Sequence, residues 1–279
     1  MMNTKNGSSR QMKLVATLTA ELNPKSPVVM AGNPADKIKQ ASLLGYDAIE
    51  LHWSSPAQIP LQEIVDSCKM YGMQISAFAT GRAYVQEGLS LIHDDVTVRE
   101  AAISRLKDFV DAASPHNATV IIGCIRGNIY SEDQREMSLE RLAAATRMVS
   151  EYAETKNVEI VFEAINRYEN NYLNTAKETA DFIKGYHLPN TKILLDTFHM
   201  NIEDANLGQA ILDTGNLIGY VHIADSNRYY AGGGHINLKE VFTALKAINY
   251  QGYISAECLP LPDSDTALAE WIRGVKAVY

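Results

Sequence analysis

Short apolar runs alternate with longer amphipathic segments along most of the chain. The apolar runs follow turn signals and are rich in β-branched and aliphatic residues, which is typical of buried strands. The segments between them carry apolar residues at helical spacing, and two of them stop at a glycine, Gly45 and Gly72. We predict strands at residues 13–19, 47–53, 74–80, 118–124, 158–164, 192–199, 219–228 and 252–258. We predict helices at residues 35–44, 60–71, 96–113, 131–156, 175–184, 205–212, 238–248 and 265–278.

Strict alternation of strand and helix predicts a parallel sheet with right-handed crossovers. Eight such units in a chain of 279 residues predict an α/β fold, a single-domain (β/α)8 TIM barrel over residues 13–279. An open doubly wound sheet is the rival fold, but the glycine-rich phosphate-binding turn that it would have after the first strand is missing. We expect residues 1–12 to be a disordered leader and residues 81–95 to be a long loop.

Each of the last four apolar runs ends in a side chain that can bind a divalent metal, namely Glu163, Asp196, His222 and Glu257. Neighbouring parallel strands lie about 4.8 Å apart, so these side chains should meet at the mouth where TIM barrels carry their active sites. Buried carboxylates that lie so close together need a cation between them. Three carboxylates and one imidazole suit Mn²⁺, Mg²⁺ or Co²⁺ better than zinc or copper. The alternative is four unrelated polar strand ends.

Two of these four residues, Glu163 and Glu257, face each other across the predicted metal. A metal that polarises a carbonyl lowers the pKa of the adjacent C–H, so a carboxylate can remove that proton. Two bases on opposite faces of a planar enediolate allow epimerisation, whereas proton return to the neighbouring carbon gives aldose–ketose isomerisation. The many polar residues after these strands favour a neutral, hydroxyl-rich ligand, because hydroxyls need donors and acceptors from several directions.

Composition excludes several classes of partner. The chain has 25 Lys and Arg against 33 Asp and Glu, a net charge of −8, which argues against nucleic acid. The three cysteines, Cys68, Cys124 and Cys258, have no C-x-x-C spacing and are typical of a reduced intracellular protein. No apolar run is long enough to span a membrane and no signal peptide is recognisable. We therefore expect a cytoplasmic location.

The C-terminal half resembles a known family through the motifs FEAINRYENNYLNT, LLDTFHMNIED, VHIADSNR, GGGHINL and ISAEC. The chain resembles the xylose-isomerase-like barrels of sugar isomerases and epimerases, and within them the D-tagatose and D-psicose (allulose) ketose 3-epimerases. The resemblance implies inversion of C3 of a ketose through a cis-enediolate. It also implies one divalent ion, with Mn²⁺ first, and a sugar substrate. We also expect a homo-oligomer, a dimer or a tetramer.

The resemblance implies roles for seven residues. Glu163, Asp196, His222 and Glu257 would bind the metal, and Glu163 and Glu257 would also be the acid/base pair. Three further residues would contact the sugar near its reacting end: Glu169, His199 and Arg228.

Two features depart from the family pattern. The segment AGGGHIN has glycine where those epimerases usually have proline. Arg126, in IIGCIRGN, is either an anchor for a phosphate or carboxylate of the substrate or an ordinary surface arginine. Glu50, His52 and Trp53 lie at the end of the second strand and either face the substrate, with Trp53 stacking on a sugar ring, or pack at the barrel mouth.

Other functions remain open at this point. A metal-dependent aldose–ketose or hydroxypyruvate-type isomerase, acting on a phosphorylated or acidic substrate, is the main alternative. A dehydratase, an endonuclease acting on abasic DNA and a non-enzymatic binding protein are less favoured. The acidic charge and the absence of extra histidine ligands argue against the nuclease, and clustered carboxylates around a metal have no use in a simple binder.

Overall fold

Eight parallel strands close into a barrel, which confirms the predicted fold. The computed structural model describes residues 12–279. The first strand of the barrel pairs with the second strand on one side and with the last strand on the other, so the ring is complete. The barrel strands are β1 (Lys13–Thr19), β3 (Ala48–His52), β4 (Gln74–Ala79), β5 (Thr119–Ile122), β6 (Ile160–Glu163), β7 (Thr191–Asp196), β8 (Ile218–His222) and β9 (Tyr253–Ala256).

Helices surround the barrel and most occupy the positions that the amphipathic pattern predicts. Gly45 and Gly72 end the first two helices in the left-handed conformation, as their residue type favours. No helix within residues 12–279 is both long and apolar enough to cross a membrane. The helices are α1 (Pro34–Leu44), α2 (Leu61–Tyr71), α3 (Gly81–Glu87), α4 (Val96–Ala113), α5 (Arg135–Thr155), α6 (Ala176–Gly185), α7 (Thr197–Glu203), α8 (Leu207–Thr214), α9 (Leu238–Ala247) and α10 (Ser264–Val278).

Two hydrophobic layers fill the molecule. The larger one lies between the strands and the helices, and the smaller one fills the barrel interior with Ala77, Ala79, Ile121, Val161, Leu194 and Tyr220. Tyr220 spans the interior and its hydroxyl lies 2.7 Å from the Ser76 hydroxyl. Because the interior is packed in this way, a ligand site can form only above it, at an end of the barrel.

Three short elements differ from the sequence prediction. The predicted loop at residues 81–95 contains α3, and the run 192–199 is a strand only to Asp196, after which α7 begins. Asp196 caps α7 by accepting a hydrogen bond from the Phe198 amide. The two-residue strand β2 (Met30–Ala31) pairs with β1 beside the ring. The predicted leader lies outside the described residues except for Met12, which is buried.

Candidate metal and active site

The carboxyl ends of β6 to β9 bring together the four side chains that the sequence singles out. Glu163, Asp196 and His222 are the last residues of β6, β7 and β8, and Glu257 directly follows β9. One potential ligand atom from each lies within 4.8 Å of the other three. All four residues are less than 9% exposed. The geometry is therefore that of a single buried centre with three carboxylates and one imidazole.

His222 is held by a carboxylate that the sequence reasoning did not assign to the centre. The Nε2 atom of His222 lies 3.2 Å from Glu50, which also accepts a hydrogen bond from His52 Nε2 at 2.8 Å. A carboxylate only accepts hydrogen bonds, so Nε2 carries the proton and Nδ1 faces the centre. The signal available in the sequence was a glutamate inside an otherwise apolar strand, AIELH.

The surroundings of the His222 Nδ1 atom show whether the centre suits a metal ion. It is buried without a hydrogen-bond partner among the described residues, although Glu257 Oε2 lies 3.1 Å away and Glu163 Oε1 lies 3.8 Å away. Burial lowers the pKa of His222, but the carboxylates of Glu257 and Glu50 outweigh it and raise that pKa well above its usual value. The centre therefore attracts positive charge, and its donor set fits a divalent ion that accepts oxygen and imidazole ligands.

The two glutamates of the centre have opposite pKa shifts. Burial raises the pKa of Glu163 to about 7, and Glu257 adds to that shift while His222 opposes it. Burial acts on Glu257 in the same direction, but the charges of His222 and Arg228 hold its pKa at about 2. The difference arises because Glu257 has two cationic neighbours.

Arg228 bridges two of the carboxylates. Its two terminal nitrogens donate hydrogen bonds to Asp196 and to Glu257, and its guanidinium lies 4.7 Å from the centroid of the Phe198 ring. These carboxylates raise the pKa of Arg228 even though burial alone would lower it. Arg228 therefore lies at the centre itself, where it also faces the cavity above.

The loop that carries Arg228 explains the glycines of AGGGHIN. Asp225 accepts hydrogen bonds from the backbone amides of Gly232 and Ile236. A Cβ on Gly234 would lie 2.3 Å from Oδ1 of Asp225, and Gly232 has φ of +86°. Both positions therefore favour glycine in this loop, whatever stands there in the relatives.

His199 is oriented as a hydrogen-bond donor. The Asn166 carbonyl oxygen accepts from the Tyr168 amide at 2.9 Å, which turns the Asn166 amide nitrogen toward His199 Nδ1, 2.6 Å away. Nδ1 is then the acceptor, so the proton lies on Nε2, which is 3.7 Å from Glu163 Oε1. Burial lowers the pKa of His199 to about 3, so the ring is neutral. The same Asn166 nitrogen donates to Glu169 at 3.0 Å.

A cavity of about 320 Å³ opens above this centre, within the range of small-molecule sites, about 300–1,000 Å³. Its inner end contains Glu163, His222 and Glu257, and all three residues expected to touch a sugar, Glu169, His199 and Arg228, lie along it. His52 also lines it. The structure therefore brings the four predicted metal ligands and the three predicted sugar contacts to one cavity or directly beneath it.

Of the alternatives that the sequence left open, both are wrong for Arg126, whereas packing is correct for Trp53. Arg126 is fully buried and outside the cavity lining, so it is neither a surface arginine nor an anchor that reaches the substrate. It donates a hydrogen bond to the backbone oxygen of Glu163 at 2.8 Å and lies 5.3 Å from the ring centroids of Phe162 and Tyr172. Trp53 is 4% exposed within the main hydrophobic core and does not stack on a ligand.

The comparisons with known proteins agree with this geometry. Residues 38–275 match the family model of the xylose isomerase-like TIM barrel. The chain is 33% identical to an L-ribulose 3-epimerase of Methylomonas sp. (strain DH-1), covering 79% of this chain and 76% of that protein. It is 30% identical to a ketose 3-epimerase of Arthrobacter globiformis, covering 81% and 79%.

A solved structure extends the likeness over nearly the whole fold. The D-allulose 3-epimerase of Methylomonas sp., in complex with D-allulose, superposes with a TM-score of 0.81 at 24% identity and covers 97% of this chain and 98% of its own. At that identity the superposition shows the fold. Together with the family match, these findings show that the chain belongs to the xylose isomerase-like TIM barrel family, as an isomerase-class enzyme with ketose 3-epimerases among its relatives.

Proposed function

We propose that this protein inverts C3 of a ketose with one divalent metal ion held by Glu163, Asp196, His222 and Glu257. The observation that carries this proposal is the convergence of three carboxylates and a free imidazole nitrogen on one buried point below a sugar-sized cavity. The names of the relatives, L-ribulose 3-epimerase and ketose 3-epimerase, supply the substrate class. We take Mn²⁺ as the first choice of metal, with Mg²⁺ or Co²⁺ as alternatives.

When bound, the ion supplies electrophilic polarisation of the ketose carbonyl, which acidifies the neighbouring C–H. Glu163 and Glu257 then exchange the C3 proton from their two sides of the cavity. One glutamate, as the carboxylate, removes the C3 proton and leaves a planar cis-enediolate. The other glutamate, as the carboxylic acid, gives its own proton to the opposite face of C3. Glu163 ends strand β6 and Glu257 follows strand β9. The two strands are three places apart in the ring, so the two side chains approach a bound molecule from different directions.

The remaining polar residues hold the sugar. His199 offers its Nε2–H to a substrate oxygen, and Arg228 offers a charge that balances negative oxygen as the enediolate forms. Glu169 lies at the rim, where it accepts from sugar hydroxyls. An aldose–ketose isomerase would need a base that moves a proton between C1 and C2 on one face. Besides Glu163 and Glu257, the described cavity lining offers one carboxylate, Glu169, whose side chain is about half-exposed. We therefore assign proton transfer to the buried pair and not to Glu169.

A panel of free and phosphorylated ketoses, incubated with the enzyme and Mn²⁺ and followed by NMR, tests the proposal. We expect a C3 epimer to accumulate, a chelator to abolish turnover, and Mn²⁺ to restore it. Metal analysis of protein purified without chelator should find about one ion per chain. An aldose as the main product would favour the isomerase, and turnover that survives chelation would refute the metal centre.

A further inference from the structure

The rim of the cavity has two parts, built by different segments of the chain. The side chains that face the reacting end of the ligand, Glu169, His199 and Arg228, come from the segments after β6, β7 and β8. The opposite part of the rim is built by the loop after β1 and by α3, which follows β4. Two basic side chains, Lys25 and Arg82, stand on that opposite part and line the same cavity.

The charged groups of these two basic side chains have no partner within the described residues. Within residues 12–279, the guanidinium of Arg82 and the ammonium of Lys25 make no hydrogen bond and no ion pair. Arg82 is half-buried and Lys25 is exposed. Burial lowers the pKa of Arg82, and only Glu21 opposes that shift. Because the guanidinium of Arg82 has no hydrogen bond or ion pair within residues 12–279, it is available to a ligand at the cavity wall.

The neighbouring side chains also suit an anion. Asn23, Ser26 and Gln86 line the same part of the cavity and add amide and hydroxyl donors near the two charges. Arginine binds carboxylate and phosphate through a planar fork of donors. A ligand whose reacting carbons lie at Glu163 and Glu257 extends across the cavity toward this group, since the cavity is only about 320 Å³ in volume.

We infer that the natural substrate is a ketose with an anionic group, a phosphate or a carboxylate, at the end remote from the reacting carbons, and that Arg82 binds this group with help from Lys25. The inference rests on the proposed function, since it takes the reacting end of the ketose to lie at the metal centre. It assigns to Arg82 the role that the sequence suggested for the buried Arg126.

Calorimetric binding in the presence of Mn²⁺ tests the inference without depending on turnover. Three probes are compared with the wild-type protein: a ketohexose, its 6-phosphate and the corresponding ketohexuronate. We expect an anionic probe to bind about 10- to 100-fold more tightly than the neutral ketose, because charge-assisted hydrogen bonds are strong in a partly buried site. The anionic probe that loses more affinity on Arg82→Gln identifies the group as phosphate or carboxylate.

Three variants complete the test. Arg82→Gln should remove most of the preference and change neutral ketose binding less than about 2-fold, since the side chain touches only the anionic end. Arg82→Lys should keep part of the preference. Arg273→Gln is the control, because Arg273 is an exposed arginine outside the cavity lining. Equal binding of all three probes by the wild type, or a preference that Arg82→Gln leaves intact, overturns the inference. Failure of every ketose to epimerise, with the binding preference present, would instead count against the proposed function.

Discussion

Glu163 and Glu257 are the residues on which the proposed chemistry depends most directly. We expect Glu163→Gln and Glu257→Gln each to lower kcat by at least about 10²- to 10⁴-fold, because an amide cannot take up the transferred proton. The protein should stay folded, as judged by circular dichroism. Glu140→Gln, at an exposed position of α5, is the control and should keep wild-type kcat. Near-normal kcat of either active-site variant at saturating Mn²⁺ would rule out a two-base mechanism.

Glu50 acts on the centre through His222. An amide at position 50 can turn an N–H toward the histidine Nε2–H, so Glu50→Gln should disturb the imidazole and weaken Mn²⁺ binding about 10- to 100-fold. Isothermal calorimetry of Mn²⁺ binding measures the change, with Glu100→Gln on the exposed face of α4 as the control. An unchanged Mn²⁺ affinity in a folded Glu50→Gln protein would show that Glu50 does not orient His222.

The sequence makes the centre visible at the residue scale because each of the four side chains ends an apolar run. It does not reveal Glu50 as a partner of His222, since that contact joins two strands far apart in the chain. The sequence also does not show that Arg126 is buried. A single arginine in a loop has the same sequence signal whether it faces solvent or packs between two aromatic rings. Only the packing of Phe162 and Tyr172 around Arg126 settles that point.

Among the secondary-structure elements, the end of β5 lies so close to the Glu163 carboxylate that the next residue, Gly123, has no room for a side chain. A Cβ on Gly123 would lie 2.6 Å from Oε2 of Glu163. Gly123→Ala should therefore displace that carboxylate and reduce kcat/KM about 10- to 100-fold, as small misplacements of catalytic groups do. Gly185→Ala is the matched control, because nothing lies within 4 Å of the Cβ it would add. Equal kcat/KM in the two variants would contradict the close approach.

The long helices follow the hydrophobic pattern of the sequence, whereas the two seven-residue helices, α3 and α7, do not. The 18 residues of α4 have the predicted bounds, since a long apolar stripe outweighs local ambiguity. Helices α3 and α7 have seven residues each, which is too short for a clear period. Helix α7 also continues the strand that precedes it without a turn signal. Because α3 carries Arg82, the sequence prediction, which had a loop there, did not place Arg82 at the cavity.

At the scale of the whole molecule, alternation of strand and helix is sufficient to predict the barrel. The position of the site follows, because active sites lie at the carboxyl ends of barrel strands. The shape and charge of the cavity rim cannot be predicted from this alternation. They depend on how the loops after β1 and β4 fold toward the segments after β6 to β8, and those contacts join distant parts of the chain.

Solvent exchange gives the most direct test of inversion at C3. A ketose that the enzyme accepts is incubated with the enzyme and Mn²⁺ in D₂O, and the position of deuterium is read by NMR. In the proposed mechanism Glu163 and Glu257 exchange the C3 proton with solvent, so we predict deuterium at C3, in both the substrate and its epimer, and none at C1. Deuterium at C1 with an accumulating aldose would contradict the account and identify an aldose–ketose isomerase.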